Sequence, residues 1–123
     1  MALIERGQVA APTVPKETVS VAALGGEVIL RGLLLSDRLA LSAISAEAGA
    51  QRDGETPEQA QRRVGQQTVF HTLARTVVLA DGEPLYTVAE WDAFGGLHPD
   101  AVLDLYRKSR ALSGYDETAN AKN

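Results

Sequence analysis

The 123-residue sequence has no cysteine, and this absence excludes disulfides, thiolate metal sites and a cysteine nucleophile. Aromatic residues make up only 5% of the chain, so a core must be built mainly from alanine, valine and leucine. Basic residues are outnumbered, 12 against 16 acidic ones, and the net charge of −4 argues against a nucleic-acid surface. No run approaches the roughly 18 apolar residues of a membrane span, and Glu5 and Arg6 interrupt the start before a signal peptide could form. We therefore expect an intracellular protein that binds neither nucleic acid nor membrane.

Patterns for catalysis and for metal binding are scarce as well. The stretch ADGEPLYTVAE (residues 80–90) contains an acidic glycine turn. However, only Asp81 precedes the glycine, and Val88 stands where a calcium loop needs glutamate. The two histidines, His71 and His98, suit a helix surface and a helix cap better than a catalytic base. With no nucleophile elbow and no phosphate loop, we expect no enzymatic activity, no cofactor and no metal site.

A β-hairpin signal is present at residues 18–32, TVSVAALGGEVILRG. A two-residue turn at Gly25 and Gly26 would pair Ala23 with Val28, Val21 with Leu30, and Val19 with Gly32. Because paired residues share a face, this register predicts one apolar face of the hairpin. That face comprises Val19, Val21, Ala23, Val28 and Leu30, and the other face comprises Thr18, Ser20, Ala22, Ile29 and Arg31.

Helical signals follow the hairpin. Ser36 is suited to cap a first helix, in which Leu41, Ile44 and Ala48 recur at helical spacing. The second helix is predicted over residues 57–80, because Thr56 and Gln59 form a capping box, Pro57 suits the first helical position, and Gly82 can end the helix. Its predicted apolar stripe contains Val69, Phe70, Leu73 and Val77.

Two shorter helices are predicted after this one. Thr87 and Glu90 form a second capping box, and Tyr86 and Trp91 occupy the two positions of a hydrophobic staple. Gly95 and Gly96 would end the third helix, and Pro99 would begin the fourth, which Gly114 would end. Val102, Leu103, Tyr106 and Ser109 are expected on one face of this last helix.

These signals predict a mainly α fold with a small N-terminal β-hairpin (α+β) and about four helices packed in one domain. The domain is expected at residues 18–114, between a flexible N-terminal arm at residues 1–17 and a polar C-terminal tail at residues 115–123.

Apolar residues exceed what a small core needs around RGLLLSD. Ile29 lies on the mostly polar hairpin face, and Leu33, Leu34 and Leu35 follow one another directly. Exposed apolar patches on soluble proteins often mark partner sites, so these four residues are the candidate protein-binding site. The alternative is that the helices cover both faces of the hairpin and bury these residues.

The order of these parts resembles the tail assembly chaperones of long-tailed bacteriophages, the family that includes the G protein of phage lambda. Three segments, spanning roughly residues 18–123, carry the resemblance: GGEVILRGLLLSDRLAL, LARTVVLADGEPLYTVAEWDAFG and VLDLYRKSRALSGYDETANAKN. Gly32 and Leu35 depart from the pattern, because relatives often have more polar residues there.

The resemblance implies a chaperone that binds the tape measure protein, keeps its apolar helical segments soluble and helps to recruit tail tube subunits. It further implies a longer form made by a translational frameshift, action in the host cytoplasm, and absence from the mature virion. Independently of the resemblance, the apolar residues Ile29 and Leu33–Leu35 are also candidates for self-association into a homo-oligomer. The alternatives are a small structural protein of the virion, such as a head–tail connector or tail completion protein, and an inhibitor of a host protein.

Overall fold

A computed structural model describes residues 3–48 and 51–114. In this part of the chain, three short antiparallel strands pack with four α-helices, which confirms the predicted α+β class. The strands are β1 (Lys16–Val21), β2 (Gly26–Arg31) and β3 (Val77–Val78), and the helices are α1 (Leu35–Ala48), α2 (Pro57–Thr76), α3 (Val88–Leu97) and α4 (Pro99–Leu112). The predicted tail at residues 115–123 lies outside the described residues.

The hairpin forms, but its predicted turn and register are wrong. A 3-10 turn at Ala22–Leu24 joins the strands, and Gly25 ends it with a φ of 78° that favours glycine. Val21 therefore pairs with Gly26, not Leu30, and Val19 pairs with Val28. The register differs by four residues, an even number, so most side chains keep their predicted face. Val19, Val21, Val28 and Leu30 are buried, whereas Ala23 lies in the turn and is exposed.

The hairpin also extends further than predicted, because β1 begins at Lys16, two residues before the expected start. The described residues that precede it form one 3-10 turn at Arg6–Gln8 and are exposed except for the half-buried Val14.

The third strand corrects the predicted end of the second helix. α2 ends at Thr76, and the next two residues pair with β2, Val77 opposite Leu30 and Val78 opposite Ile29. Two consecutive β-branched valines favour an extended backbone when a neighbouring strand offers hydrogen bonds. Gly82 does not close the helix; with a φ of 88° it lies in the tight turn after β3.

Both predicted capping boxes are present. The Thr56 hydroxyl accepts from the Gln59 backbone N–H at 3.2 Å, and the Gln59 side chain accepts from the Thr56 N–H at 2.9 Å. Thr87 and Glu90 make the same exchange at 3.2 and 3.0 Å. These caps fix where α2 and α3 begin, because they satisfy N–H groups that have no partner within the helix.

Two further predicted helix ends are placed differently. Ser36 does not cap α1 but lies inside it, and the Asp37 carboxylate accepts the Leu34 backbone N–H instead. Gly95 and Gly96 do not end α3, which continues to Leu97. Pro99 begins α4 as predicted, and His98 joins the two helices without a side-chain capping bond.

The core lies between the inner face of the sheet and helices α2, α3 and α4. Its fully buried side chains include Leu30, Leu73 and Val77 together with Trp91 and Leu105. The predicted staple forms around the tryptophan, with Tyr86 and Trp91 ring centroids 5.0 Å apart and Trp91 and Phe94 centroids 5.6 Å apart.

The face assigned to α4 is partly wrong. Val102 and Ser109 are buried and Tyr106 is half-buried, as predicted, but Leu103 is 46% exposed and Leu105 takes the inward position. The Ser109 hydroxyl lies 3.0 Å from that of Thr76 inside the core, so these buried polar atoms satisfy each other.

Candidate protein-binding surface

The chain between β2 and α1, residues 32–34, is held by its backbone. Three consecutive N–H groups donate to three separate parts of the protein: Gly32 to the Pro15 carbonyl at 2.8 Å, Leu33 to the Ser113 hydroxyl at 3.0 Å, and Leu34 to the Asp37 carboxylate at 3.0 Å. Because its polar groups are satisfied, the segment has a defined position. We call it the leucine segment.

Gly32 is buried, and a side chain there would meet the neighbouring arm. An ideal Cβ would lie 3.1 Å from Pro15 Cγ and 3.3 Å from Val14 Cγ1. A side chain at position 32 would therefore require Pro15 and Val14 to shift by a few tenths of an ångström.

Asp37 links the start of α1 to the sheet and to α2. Its carboxylate lies 2.9 Å from Arg31 Nη1 on β2 and 3.7 Å from Arg75 Nε on α2. Burial acts to raise the pKa of Asp37, but the hydrogen bonds from Arg31 and the Leu34 N–H, with the charges of Arg31 and Arg75, outweigh it and lower the pKa. The carboxylate therefore stays ionised and holds the helix start against two elements.

The next residue, Arg38, is also directed toward the protein, because its guanidinium donates to the Ser113 carbonyl. The two charged residues in the first turns of α1 thus make contacts within the domain instead of facing water. This is the reverse of an ordinary surface helix, whose charged residues face the solvent.

The outward side of α1 is correspondingly apolar. Leu35, Leu39, Ala43 and Ala46 follow one another at intervals of four, four and three residues, which places them on one side of the helix, and all four are exposed. Leu35 is 70% and Leu39 63% exposed, and Leu34, just before the helix, is 46% exposed. We call Leu35, Leu39, Ala43 and Ala46 the outer stripe. Of the charged residues of α1, Asp37 and Arg38 make contacts within the domain, so only the exposed Glu47, at the far end of the helix, borders the stripe.

The four residues proposed from the sequence fall into two groups. Leu34 and Leu35 are exposed at the start of the outer stripe, whereas Leu33 and Ile29 are half-buried. Ile29 lies on β2 between Thr18 and Val78, on the face away from the core valines. The sequence interpretation missed Leu39, although its spacing of four from Leu35 is the signal that could have identified it.

A second apolar depression lies where α2, α3 and α4 meet. It encloses about 360 Å³ and is lined mainly by Val69, Phe70, Val102 and Leu103. Most of its wall belongs to the core, since Val102 is buried and Val69 and Phe70 are half-buried. The depression therefore offers a partner less exposed leucine than the outer stripe does.

The two histidines occupy unrelated positions. His71 on α2 is half-buried, and its pKa is lowered by burial and by the nearby charge of Arg75. The His98 ring lies 5.0 Å from that of Phe94. Within residues 3–48 and 51–114, no three histidine or acidic side chains are grouped closely enough to hold a metal ion.

No described helix is both long enough and apolar enough to cross a lipid bilayer. Comparison of the chain with protein-family models, curated proteins and solved structures gave no match. The leucine segment and the outer stripe therefore have to be interpreted from their own residues.

Proposed function

We propose that this protein is a tail assembly chaperone of a long-tailed bacteriophage, and that its outer stripe binds apolar helical segments of the tape measure protein. The resemblance of residues 18–123 to that family supplies the partner. The observation that carries the proposal is the apolar outward side of α1, beside a leucine segment whose backbone is anchored at three points.

The physical case rests on helix-in-groove or helix-on-helix recognition, in which leucines one turn apart pack against the apolar stripe of a partner helix. Fully burying a leucine contributes about 1.5–3 kcal/mol. Covering the exposed fractions of Leu35 and Leu39, 70% and 63%, would thus contribute roughly 2–4 kcal/mol. Even without the costs of association, this energy corresponds to a dissociation constant of about 1 mM or weaker, so the two leucines would supply one part of a contact that can later dissociate.

The anchoring reduces what binding would cost. A mobile apolar loop must be ordered when a partner arrives, and that ordering opposes association. The leucine segment is already fixed by hydrogen bonds to the arm, to α1 and to the end of α4. The cost of ordering this segment would therefore not be subtracted from the contribution of the two leucines, although the loss of translational and rotational freedom on association still would be.

The other parts of the proposal follow from the family resemblance. A longer form made by frameshifting would connect the bound tape measure protein to tail tube subunits. The chaperone would act in the host cytoplasm and would not be retained in the mature virion.

Co-expression with the tape measure protein tests the proposal. We expect the wild-type chain to keep the tape measure protein soluble and a Leu35→Gln, Leu39→Gln double variant to lose this effect while remaining folded. A Leu79→Gln, Leu97→Gln double variant is the matched control, because both leucines are exposed, 43% and 78%, and lie outside α1. An equal loss in the control would show that the outer stripe is not the binding surface.

Two further measurements separate the alternative functions. Mass spectrometry of purified virions should not detect the protein in stoichiometric amount; its presence there would favour a structural component. Affinity purification from infected cells should return tail proteins; recovery of a host enzyme alone would favour an inhibitor. If the wild-type chain leaves the tape measure protein insoluble and unbound, the chaperone proposal is wrong.

A further inference from the structure

The sheet has an open edge along the outer side of β1. The Gly32 N–H donates to the Pro15 carbonyl at 2.8 Å, so these two residues form a hydrogen-bonded pair directly before the first pair of the β1–β2 ladder. Because hydrogen-bonded and non-hydrogen-bonded pairs alternate in an antiparallel ladder, the backbone groups of Lys16, Thr18 and Ser20 point away from β2. Within the described part of the chain, these groups have no backbone partner.

The opposite edge of the sheet is covered, because Val78 of β3 is bridged to Pro84 and the Leu85 N–H donates to the Val77 carbonyl at 3.1 Å. Proteins usually protect an exposed edge strand with charge, with proline or by keeping it very short. β1 is 6 residues long, and its second half, TVSV without the two charged residues that begin the strand, contains neither charge nor proline. This edge is therefore suited to strand addition, in which main-chain hydrogen bonds hold an extended peptide.

A cavity of about 500 Å³ lies at the end of the same edge. It is lined on one side by residues 20–23, where β1 ends and the turn begins, and on the other by Leu97 and the first turns of α4. Val21, Ala101 and Leu105 give it an apolar lining. Val21 belongs to the buried face of β1, so the cavity lies toward the core side of the sheet. Alternate side chains of an added strand would point to that side.

The charged part of the cavity is acidic. Asp100 and Asp104 both line it and are exposed, and their spacing of four residues places them on one side of α4. Asp104 lies 3.0 Å from Lys108, whereas Asp100 makes no ion pair with any described residue. None of the described residues that line the cavity is a lysine or an arginine. A lysine or arginine side chain matches this lining, because its methylene groups cover apolar surface while its charged end stays at a polar rim.

We propose that the edge of β1 and this cavity together bind an extended segment of a partner protein, which adds a strand to the sheet and places a lysine or arginine side chain beside Asp100. A second copy of this chain matches the site less well. Paired antiparallel through the same edge, its β1 would direct Glu17 and not Lys16 to the cavity side, because Glu17 shares the face of the buried Val19 and Val21.

This site is separate from the outer stripe, since none of the described residues that line the cavity belongs to α1. The inference therefore does not depend on the proposed function. It gives the domain a second binding mode, in which a partner is recognised as a strand and by positive charge.

The test follows the backbone amide signals of the isotope-labelled protein by NMR at low salt. The probe is an acetylated and amidated peptide, Thr-Val-Thr-Lys-Thr-Val-Thr, whose lysine and valines share one face of an extended strand. We expect saturable shifts of the Thr18 and Ser20 amides, and an affinity about threefold lower when glutamine replaces the lysine, the effect of losing one exposed ion pair. Equal affinities for the two peptides, or no saturable shift along β1, would contradict the proposal.

Two changes in the protein test the edge and the cavity separately. Thr18→Pro removes an outward N–H and leaves the bonds to β2, because proline is tolerated on the solvent side of an edge strand. It should weaken binding of the lysine peptide about tenfold, whereas Thr18→Ala, which keeps the N–H, should bind as wild type does. Circular dichroism shows whether both variants retain the fold.

If Thr18→Pro does not fold, the cavity variant decides. Asp100→Asn should weaken binding of the lysine peptide about threefold and leave that of the glutamine peptide unchanged. Asp92→Asn is the matched control, because Asp92 is an exposed aspartate on α3 that does not line this cavity. Wild-type affinity for the lysine peptide in a folded Thr18→Pro variant or in Asp100→Asn would overturn the proposal.

A second copy at the edge would be detected without any peptide. If the Thr18 and Ser20 amide signals change with protein concentration alone, the edge of β1 pairs with another copy of the chain and the proposal is wrong. We expect these signals to stay constant on dilution and to change only when the peptide is added.

Discussion

Replacing Trp91 with alanine would remove the largest fully buried side chain of the described core. A buried tryptophan withdraws about 200 Å² from water, worth roughly 5 kcal/mol at 25 cal/mol per Å². Its edge-to-face contacts with Tyr86 and Phe94 add to this. One opposing contribution exists, because the Trp91 Nε1 is buried with no hydrogen-bond partner among the described residues, and the substitution relieves that penalty.

Together these contributions predict a loss of about 3–5 kcal/mol in the free energy of unfolding, the usual cost of Trp→Ala in a core. A chain of this length has a total stability of roughly 6–18 kcal/mol, so the variant should be severely destabilised. Urea unfolding followed by far-ultraviolet circular dichroism measures the loss, since the variant lacks the chain's single tryptophan as a fluorophore. Trp91→Phe is the matched control: it keeps a ring and removes the unpaired N–H, and should cost about 1–2 kcal/mol. A loss below about 1 kcal/mol for Trp91→Ala would refute the packing argument.

Three further predictions concern the start of α1, acid stability and the tail. Asp37→Ala should lower stability by about 1.5–3 kcal/mol, because it removes the acceptor of the Leu34 N–H at the start of α1 and leaves two arginines without their carboxylate. Ser36→Ala should change it by no more than about 0.5 kcal/mol in the same urea titration. Acidification should destabilise the protein in two stages, first as pH falls below 6.5 through the lowered pKa of His71, then below 4.5 through the lowered pKa values of Glu55, which Arg63 holds down, and of Asp37. In each case the pKa is higher in the unfolded chain, so the unfolded chain takes up the proton at a higher pH than the folded one does. If the His71→Gln variant still lost stability as pH falls below 6.5, the assignment of the first stage to His71 would be wrong. Deleting residues 117–123, a polar segment predicted to pack weakly, should leave the melting temperature nearly unchanged, and a fall of more than about 5 °C would contradict weak packing.

Local signals predicted the starts of α2 and α3 well. The capping boxes at Thr56 and Thr87 involve residues only three positions apart, so their geometry depends little on the rest of the fold. The staple of Tyr86 and Trp91 is equally local. The apolar hairpin face was also predictable, because alternation determines the face even when the turn is assigned incorrectly.

Features that depend on tertiary contacts could not be predicted in this way. Val77 and Val78 continue the apolar pattern of α2 in the sequence. They form a strand instead because they pair with Leu30 and Ile29 at the edge of β2. The carboxylate that bonds the backbone at the start of α1 belongs to Asp37, not Ser36, and its partners Arg31 and Arg75 come from β2 and α2.

The outer stripe of α1 was predicted only in part, because its orientation also depends on tertiary contacts. Three successive leucines indicated an apolar excess, but the sequence does not show which side of α1 faces the solvent. That side follows from the inward contacts of Asp37 and Arg38.

Because α2 passes directly into β3, the chain should not tolerate a change in length at this junction. Thr76 ends the helix and Val77 begins the strand, so no connecting residue lies between them to absorb an insertion. One added residue would turn the helix by about 100° and shift it by about 1.5 Å relative to the sheet, which would rotate Leu73 and Thr76 out of the core. The polar residues 51–55 ahead of Thr56 are exposed or half-buried and lie outside any helix or strand. Insertions, tags or fused domains should therefore be accepted at that loop and rejected at the junction of α2 with β3.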